Sequence, residues 1–247
     1  MMTRRLLLCA VLLLTACGDR PAARPPTGAD TVIAEVDRHG GFAPAAEQWA
    51  LPALTLYGDG TAVTRGDDRG ALLTGHRRTL SAAQIDALFR RADDAGLFTE
   101  RDYPQDVTDA ALLTVRLATT GGTYETTVTQ PSPDEGGDRG EVIAFAKAAA
   151  ASGVDAGVYL PQRAAVLVVA DSENDSDVRP WPLDVPLSAM DGAPQRPCHV
   201  VDGAPLAPLL AEAGAARGET RWQAEGHRVR LVVRPLLPHE RTCADLR

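Results

Sequence analysis

Ala53-Leu54-Thr55-Leu56-Tyr57-Gly58-Asp59-Gly60-Thr61-Ala62-Val63-Thr64 sets two short apolar, β-prone runs on either side of Gly-Asp-Gly. Glycine supplies the positive φ that tight hairpin turns need, so residues 53–57 and 61–64 read as two antiparallel strands. Asp59 then reads as a turn residue and not as a ligand. Upstream, residues 31–36 alternate apolar and polar side chains as a half-buried strand does. Gly40-Gly41-Phe42-Ala43-Pro44 breaks that strand. Downstream, residues 72–80 are expected to return as a further strand.

A helix follows. Ser81 and Gln84 have the spacing of a capping box. Ile85, Leu88, Phe89 and Ala92 fall on one helical face, and Gly96 stands where helices commonly stop. Residues 111–118 and 124–129 form a second hairpin around Thr120-Gly121-Gly122, with Leu113, Val115 and Leu117 buried and Thr114 and Arg116 outward. Residues 130–140 make a Pro/Asp/Gly loop, and residues 141–152 an alanine-rich helix with Val142, Ile143, Phe145 and Ala146 inward. Beyond a boundary in residues 153–162 come a buried strand at 164–170, an extended proline-broken stretch at 181–190, and a short strand at 198–201. A helix over 206–216 and a strand over 228–234 complete the chain, with Trp222 packed against that last strand. Hairpins beside amphipathic helices define an α+β fold with an antiparallel sheet. A smaller C-terminal α+β lobe, closed by a disulfide, is expected beside it.

The first residues are of another kind. Arg4 and Arg5 precede an apolar run, residues 6–14, followed by small residues up to Cys17. This is the layout of a secretory leader, and the run falls short of the ~20 residues that span a bilayer. Leu14-Thr15-Ala16-Cys17 resembles the lipobox of bacterial lipoproteins, which implies cleavage before Cys17 and lipidation of that cysteine. The resulting organisation is a signal peptide at 1–16, a lipidated cysteine with a flexible Pro-rich tether at 17–30, an N-terminal α+β domain at 31–152 and a C-terminal lobe at 158–247. Cys9 leaves with the leader and Cys17 takes the lipid. Cys198 and Cys243 therefore remain in an oxidising compartment, where a disulfide between them is expected. The alternative, two separate thiols, lacks the C-x-x-C spacing of redox pairs.

The formal charge is −8 over 247 residues and falls to −10 once Arg4 and Arg5 are removed. An acidic body is repelled by nucleic acid, so the partners expected are the membrane, through the lipid, and an envelope protein or glycan. Lys147 is the only lysine, and the Ala/Gly/Asp/Arg bias is that of a high-GC genome.

Chemical motifs are sparse. Asp171-Ser172-Glu173-Asn174-Asp175-Ser176-Asp177 spaces oxygen ligands as a calcium loop does. It lacks the glycine at the sixth position and has Pro182 where the closing glutamate belongs, so it reads as a solvated acidic loop. His39, His76, His199, His227 and His239 show no paired metal spacing, and His239-Glu240 lacks the second histidine of H-E-x-x-H. No serine-hydrolase elbow, S-x-x-K, P-loop or dinucleotide fingerprint is present. No metal, cofactor or catalytic residue is assigned. Trp181, between Pro180 and Pro182, is a candidate surface for stacking a sugar or peptide, with a role as core anchor the competing reading.

The lipobox, Tyr57-Gly58-Asp59-Gly60, the helix over residues 80–98, and Trp222 followed by Arg234-Pro235-Leu236-Leu237-Pro238 with Glu240 and Cys243 resemble an actinobacterial lipoprotein family of unknown function. The resemblance implies a lipid-anchored protein at the outer face of the cytoplasmic membrane. A non-catalytic interaction or binding module is the expected role. A carboxylate-dependent hydrolase of envelope glycan or peptide is the alternative, and a solute receptor a weaker one.

Overall fold

The computed structural model describes residues 23–43, 47–171, 177–192 and 196–246. The expected leader, Cys17 and most of the acidic stretch 171–177 lie outside the described residues. The strands are β1 (Val32–Gly40), β2 (Leu54–Tyr57), β3 (Thr61–Arg65), β4 (Gly75–Thr79), β5 (Arg101–Tyr103), β6 (Ala111–Thr119), β7 (Gly122–Thr129), β8 (Val154–Val158), β9 (Arg163–Asp171), β10 (Val178–Pro180), β11 (Cys198–Asp202), β12 (Arg221–Ala224) and β13 (His227–Pro235). The helices are α1 (Ala82–Asp94), α2 (Gly137–Ala150) and α3 (Leu206–Ala215). An eight-stranded sheet runs β5-β7-β6-β1-β2-β3-β4-β8, and a five-stranded sheet runs β10-β12-β13-β9-β11. Pairing is antiparallel except for β5 with β7 and β10 with β12, so the α+β class with hairpin-built sheets holds.

The Gly-Asp-Gly stretch forms the β2–β3 turn. Asp59 bends back to accept hydrogen bonds from the Thr61 backbone N–H at 2.8 Å and from its hydroxyl at 3.1 Å, the role of a turn residue. Gly60 has φ +86°, and a side chain there would collide with the Leu80 carbonyl that begins the approach to α1. The capping box forms as the spacing predicts. The Ser81 hydroxyl accepts from Gln84 N–H, and the Gln84 side chain accepts from Ser81 N–H. Ile85, Leu88, Phe89 and Ala92 are all buried. With Val142, Ile143, Phe145 and Ala146 of α2 they cover one face of the large sheet, against Leu54, Leu56, Leu113, Val115 and Leu117. Arg78 of β4 reaches from that face to the end of α2 and donates to the Ala150 carbonyl, which the helix cannot satisfy itself, and to the Gly153 carbonyl just beyond the helix.

The far face of the large sheet differs from the sequence expectation. Thr114 is buried, flanked in register by Asp37 and Thr127. Tyr57 and Val63 on the same face are covered by Leu51 and Leu237. This face is polar but only part of it meets solvent, because the C-terminal run lies across it.

Two further segments tie the halves together. The strand expected over residues 72–80 begins only at Gly75, and residues 69–73 before it enter the small sheet's territory. Ala71 N–H donates to Ala213, Val233 N–H to Ala71, and Leu73 N–H to Val233. Residues 154–158, between the two expected units, form β8 and pair with β4 in the large sheet. The small sheet packs α3 and Trp222 on one side, and Leu73, Leu236 and the cysteine pair on the other. Residues 23–30, expected as free tether, lie along the turn end of the large sheet, where Thr120 N–H donates to the Arg24 carbonyl at 2.9 Å.

Replacing Phe89 by Ala should cost ~3–5 kcal/mol, the usual effect of emptying an aromatic site in a core. Arg91, exposed on the same helix, should tolerate Ala within about 0.5 kcal/mol. Urea melts of both variants check this, and equal shifts would refute the assigned face.

Candidate functional site

The residues Arg234-Pro235-Leu236-Leu237-Pro238-His239-Glu240 leave β13 and fold back on themselves. Proline at 235 and 238 removes two backbone donors and ends the strand. The Arg234 guanidinium then meets the Glu240 carboxylate in a two-pronged pair, 2.7 and 2.9 Å, with both side chains about 95% buried. Glu240 also accepts from Leu237 N–H at 2.7 Å, and Arg234 Nε donates to the Trp49 carbonyl at 2.9 Å. Leu236 enters the cluster beneath the small sheet and Leu237 the cluster on the large sheet's far face. Two tyrosines from earlier in the chain brace the run. Tyr159 O–H donates to the Leu236 carbonyl at 2.7 Å, and Tyr57 Oη lies 2.9 Å from His239 Nδ1.

Burial, more than the neighbouring charge of Glu240, pushes the Tyr159 hydroxyl up to about 12. Tyr57 is raised further, again chiefly by burial, with the nearby Tyr159 and Glu240 adding to it. Tyr57 Oη and His239 Nδ1 thus share one hydrogen bond, and the tautomer of the imidazole sets which of the two donates.

Beside this run, a polar cleft of about 270 Å³ opens between the far face of the large sheet and the C-terminus. Glu35 and Asp37 of β1 form one wall, Ala50 and Pro52 close the side, and Arg234, His239, Glu240, Ala244 and Asp245 form the other. Alternation along β1 puts Glu35 and Asp37 on this face while Ala34 and Val36 face the helices. Arg116, paired in register with Glu35, donates to it at 2.7 Å and also to Glu125. Asp37 lies 3.3 Å from the His39 ring. Asp245 accepts from the backbone N–H of Arg241 and Thr242, which holds its carboxyl below the usual carboxylate range. The cleft offers carboxylate acceptors and one imidazole ring, a set suited to a small ligand bearing hydroxyl or cationic groups.

The structure places the expected site residues as follows. Cys198 and Cys243 are joined by a disulfide with Cα atoms 6.2 Å apart, fixing the 3-10 turn Cys243–Asp245 to β11. Ala244 and Asp245, which line the cleft, are in that turn. Trp181 is half-buried, packs against the Trp222 cluster, and donates from its indole to the Val185 carbonyl at 2.8 Å. It does not line the cleft. Cys17 lies outside the described residues. Among the described residues no group of three or more His, Cys, Asp or Glu side chains is placed to hold a metal ion. Sequence reasoning assigned no role to Glu35, Asp37 or Asp245, and weighed His239-Glu240 only as a fragment of a zinc motif. The alternation of β1 was the one signal that set Glu35 and Asp37 on a polar face.

Fold and cleft define an α+β protein of two sheets clasped by its C-terminal run. Comparison of the chain with known protein families, with curated proteins and with solved structures finds no match.

Glu240→Ala should destabilise the fold by ~3–5 kcal/mol, because it strands a buried guanidinium. Replacing Arg234 and Glu240 together by Met and Leu should cost less than the single change, which a double-mutant cycle in urea measures. In alkali, the unfolded chain loses the Tyr159 proton near the ordinary 10.0 and the folded chain near about 12. The contribution of this hydroxyl is therefore complete below 10 and is lost as pH rises through 12. Tyrosinate absorbance should show a component delayed toward pH 12 that shrinks in Tyr159→Phe. All four tyrosines titrating together near 10 would contradict this.

Proposed function

We propose that this chain is a non-catalytic lipoprotein of the cell envelope, held at the outer face of the cytoplasmic membrane through Cys17 and presenting the polar cleft as a binding surface. The leader and lipobox motivate the location, and the resemblance to actinobacterial lipoproteins agrees with it. The Cys198–Cys243 bridge supports an oxidising compartment, since such bonds persist mainly outside the cytoplasm.

The observation that carries the binding role is how the cleft carboxylates are engaged. Glu35 faces Arg116, Glu240 faces Arg234, Asp245 faces two backbone donors of its own turn, and Asp37 faces the His39 ring. A glycosidase of the two-carboxylate type needs one carboxyl kept protonated as the general acid. Carboxylates met by cations and backbone donors are arranged for recognition instead. A small polar ligand or the polar edge of an envelope partner fits them.

Crosslinking on intact cells, with the crosslinker seated at Asp37, should capture a partner or glycan that a crosslinker on exposed Arg91 does not. Cys17→Ala should abolish incorporation of radiolabelled fatty acid and leave the leader uncleaved. Label retained in that variant would place the lipid elsewhere and overturn the proposed anchor.

A further inference from the structure

Residues 24–30 read as the end of a flexible tether, yet with Thr31 they are fastened to the fold. Thr120 N–H donates to the Arg24 carbonyl at 2.9 Å, Thr31 N–H to Gly28 at 3.3 Å, and Gly58 N–H to Thr31 at 2.9 Å. The segment crosses Gly58 so closely that a Cβ there would lie 2.6 Å from both the Pro26 carbonyl oxygen and the Gly28 nitrogen. Gly58 carries no unusual φ, so its requirement for glycine comes from this approach alone. The docked segment thus joins the β6–β7 turn, where Thr120 sits, to the β2–β3 turn. Both turns are at the same end of the large sheet, where β1 begins.

We infer that this turn end of the large sheet faces the phospholipid bilayer, with the loops around Phe42 and Val107 at the opposite end facing away. The inference rests on the lipid-anchor reading proposed above and adds an orientation to it. Between Cys17 and Arg24, the first residue bonded to the fold, there are seven peptide steps, which reach at most about 25 Å even fully extended. The nine residues of β1 alone extend about 27 Å from the turn end toward the far end. Gly40 closes β1 against Ala111, and Gly41 N–H donates to Ala110, so the loops holding Phe42 and Val107 extend beyond that length. A body inverted on the membrane would put its tether attachment farther from the bilayer than these seven steps can bridge. Had residues 23–30 been free, the reach would have roughly doubled and the orientation would have been lost.

Phe42 is 92% exposed and Val107 about half exposed, and this arrangement holds both on the side open to the envelope. Asp30 and Asp59, exposed at the turn end, disfavour tight adhesion to anionic headgroups. The orientation therefore comes from the short leash and not from an adhesive face.

Energy transfer tests this. The mature chain, lipidated at Cys17, is reconstituted in phosphatidylethanolamine/phosphatidylglycerol vesicles carrying an acceptor dye on the headgroups. A donor dye is attached under non-reducing conditions at Gly121→Cys or at Phe42→Cys. A Cβ at Gly121 would meet only Thr119 Oγ1, at an ordinary 3.6 Å, and Gly121 has no positive φ; Phe42 is exposed, so neither variant disturbs the core. Transfer from position 121 should exceed that from position 42 by about twofold or more, given a separation of ~27 Å along the strands. Gly58→Ala, which displaces residues 24–30 from their groove, should shrink the difference while circular dichroism stays native. Vesicle-bound protein with equal or reversed transfer overturns the orientation and leaves the anchor standing. Protein that fails to float with the vesicles overturns the anchor and the orientation with it. An undiminished difference in Gly58→Ala overturns the docked segment as its cause.

Discussion

The contact on which the arrangement of this molecule depends is the buried pair between Arg234 and Glu240. Taking two charges out of water costs several kcal/mol per ion even after relaxation, and their attraction offsets this only when the remaining donors and acceptors are also met. Here they are: Glu240 takes two guanidinium bonds and the Leu237 N–H, and Arg234 has a third partner in the Trp49 carbonyl. The pair adds little net stability in such an account. What it settles is geometry. It closes the seven residues 234–240 into a loop whose successive leucines face opposite ways, Leu236 into the small sheet and Leu237 onto the large one. Burying each leucine stabilises by about 1.5–3 kcal/mol, and both gains are available only while the loop keeps that shape.

The same loop explains why the two sheets are not independent. Trp49, Tyr57 and Tyr159 come from the first two-thirds of the chain, and each bonds to an atom of the C-terminal run or its approach. Residues 69–73 add the reverse exchange, contributing Ala71 and Leu73 to the backbone network of β13 and α3. Each half therefore supplies part of the other's boundary. The cleft lies at this exchange, with β1 giving one wall and the clasped C-terminus the other.

What could be read from the sequence follows the range of the interactions involved. The 58–60 turn, the Ser81/Gln84 cap and the buried face of α1 depend on neighbours within a few residues, and the local pattern predicts each of them. The disulfide was legible for a different reason, the elimination of Cys9 and Cys17. The strands β5, β8, β10 and β12 were not. β5 and β10 are three residues long, and β8, Val-Asp-Ala-Gly-Val, is exposed along its length and shows no alternation. Thr114 looked outward because alternation reports which face a residue is on, and cannot report that the far face is itself covered. The cleft was least legible. Tyr57 and His239 are 182 residues apart in sequence, and nothing local to either marks the other. Arg234 and Glu240 are near in sequence, but two prolines between them suggested only an ending.

The cleft and the disulfide meet at one short turn. Cys243 begins the Cys243–Asp245 turn, and the next two residues, Ala244 and Asp245, belong to the cleft wall. Asp245 is oriented by donors from Arg241 and Thr242, and Glu240 by Arg234. The side chains of the C-terminal wall are thus fixed from both ends, by the buried ion pair at 240 and by the bridge to β11 at 243. Between them only Arg241 and Thr242 remain, too short a span to move without breaking one anchor. Without the bridge, the last residues would be held by the exposed Asp245 bonds and the partly buried Leu246, and chain termini so held tend to fray. The ion pair decides where the wall stands, and the disulfide decides how far along the chain it extends.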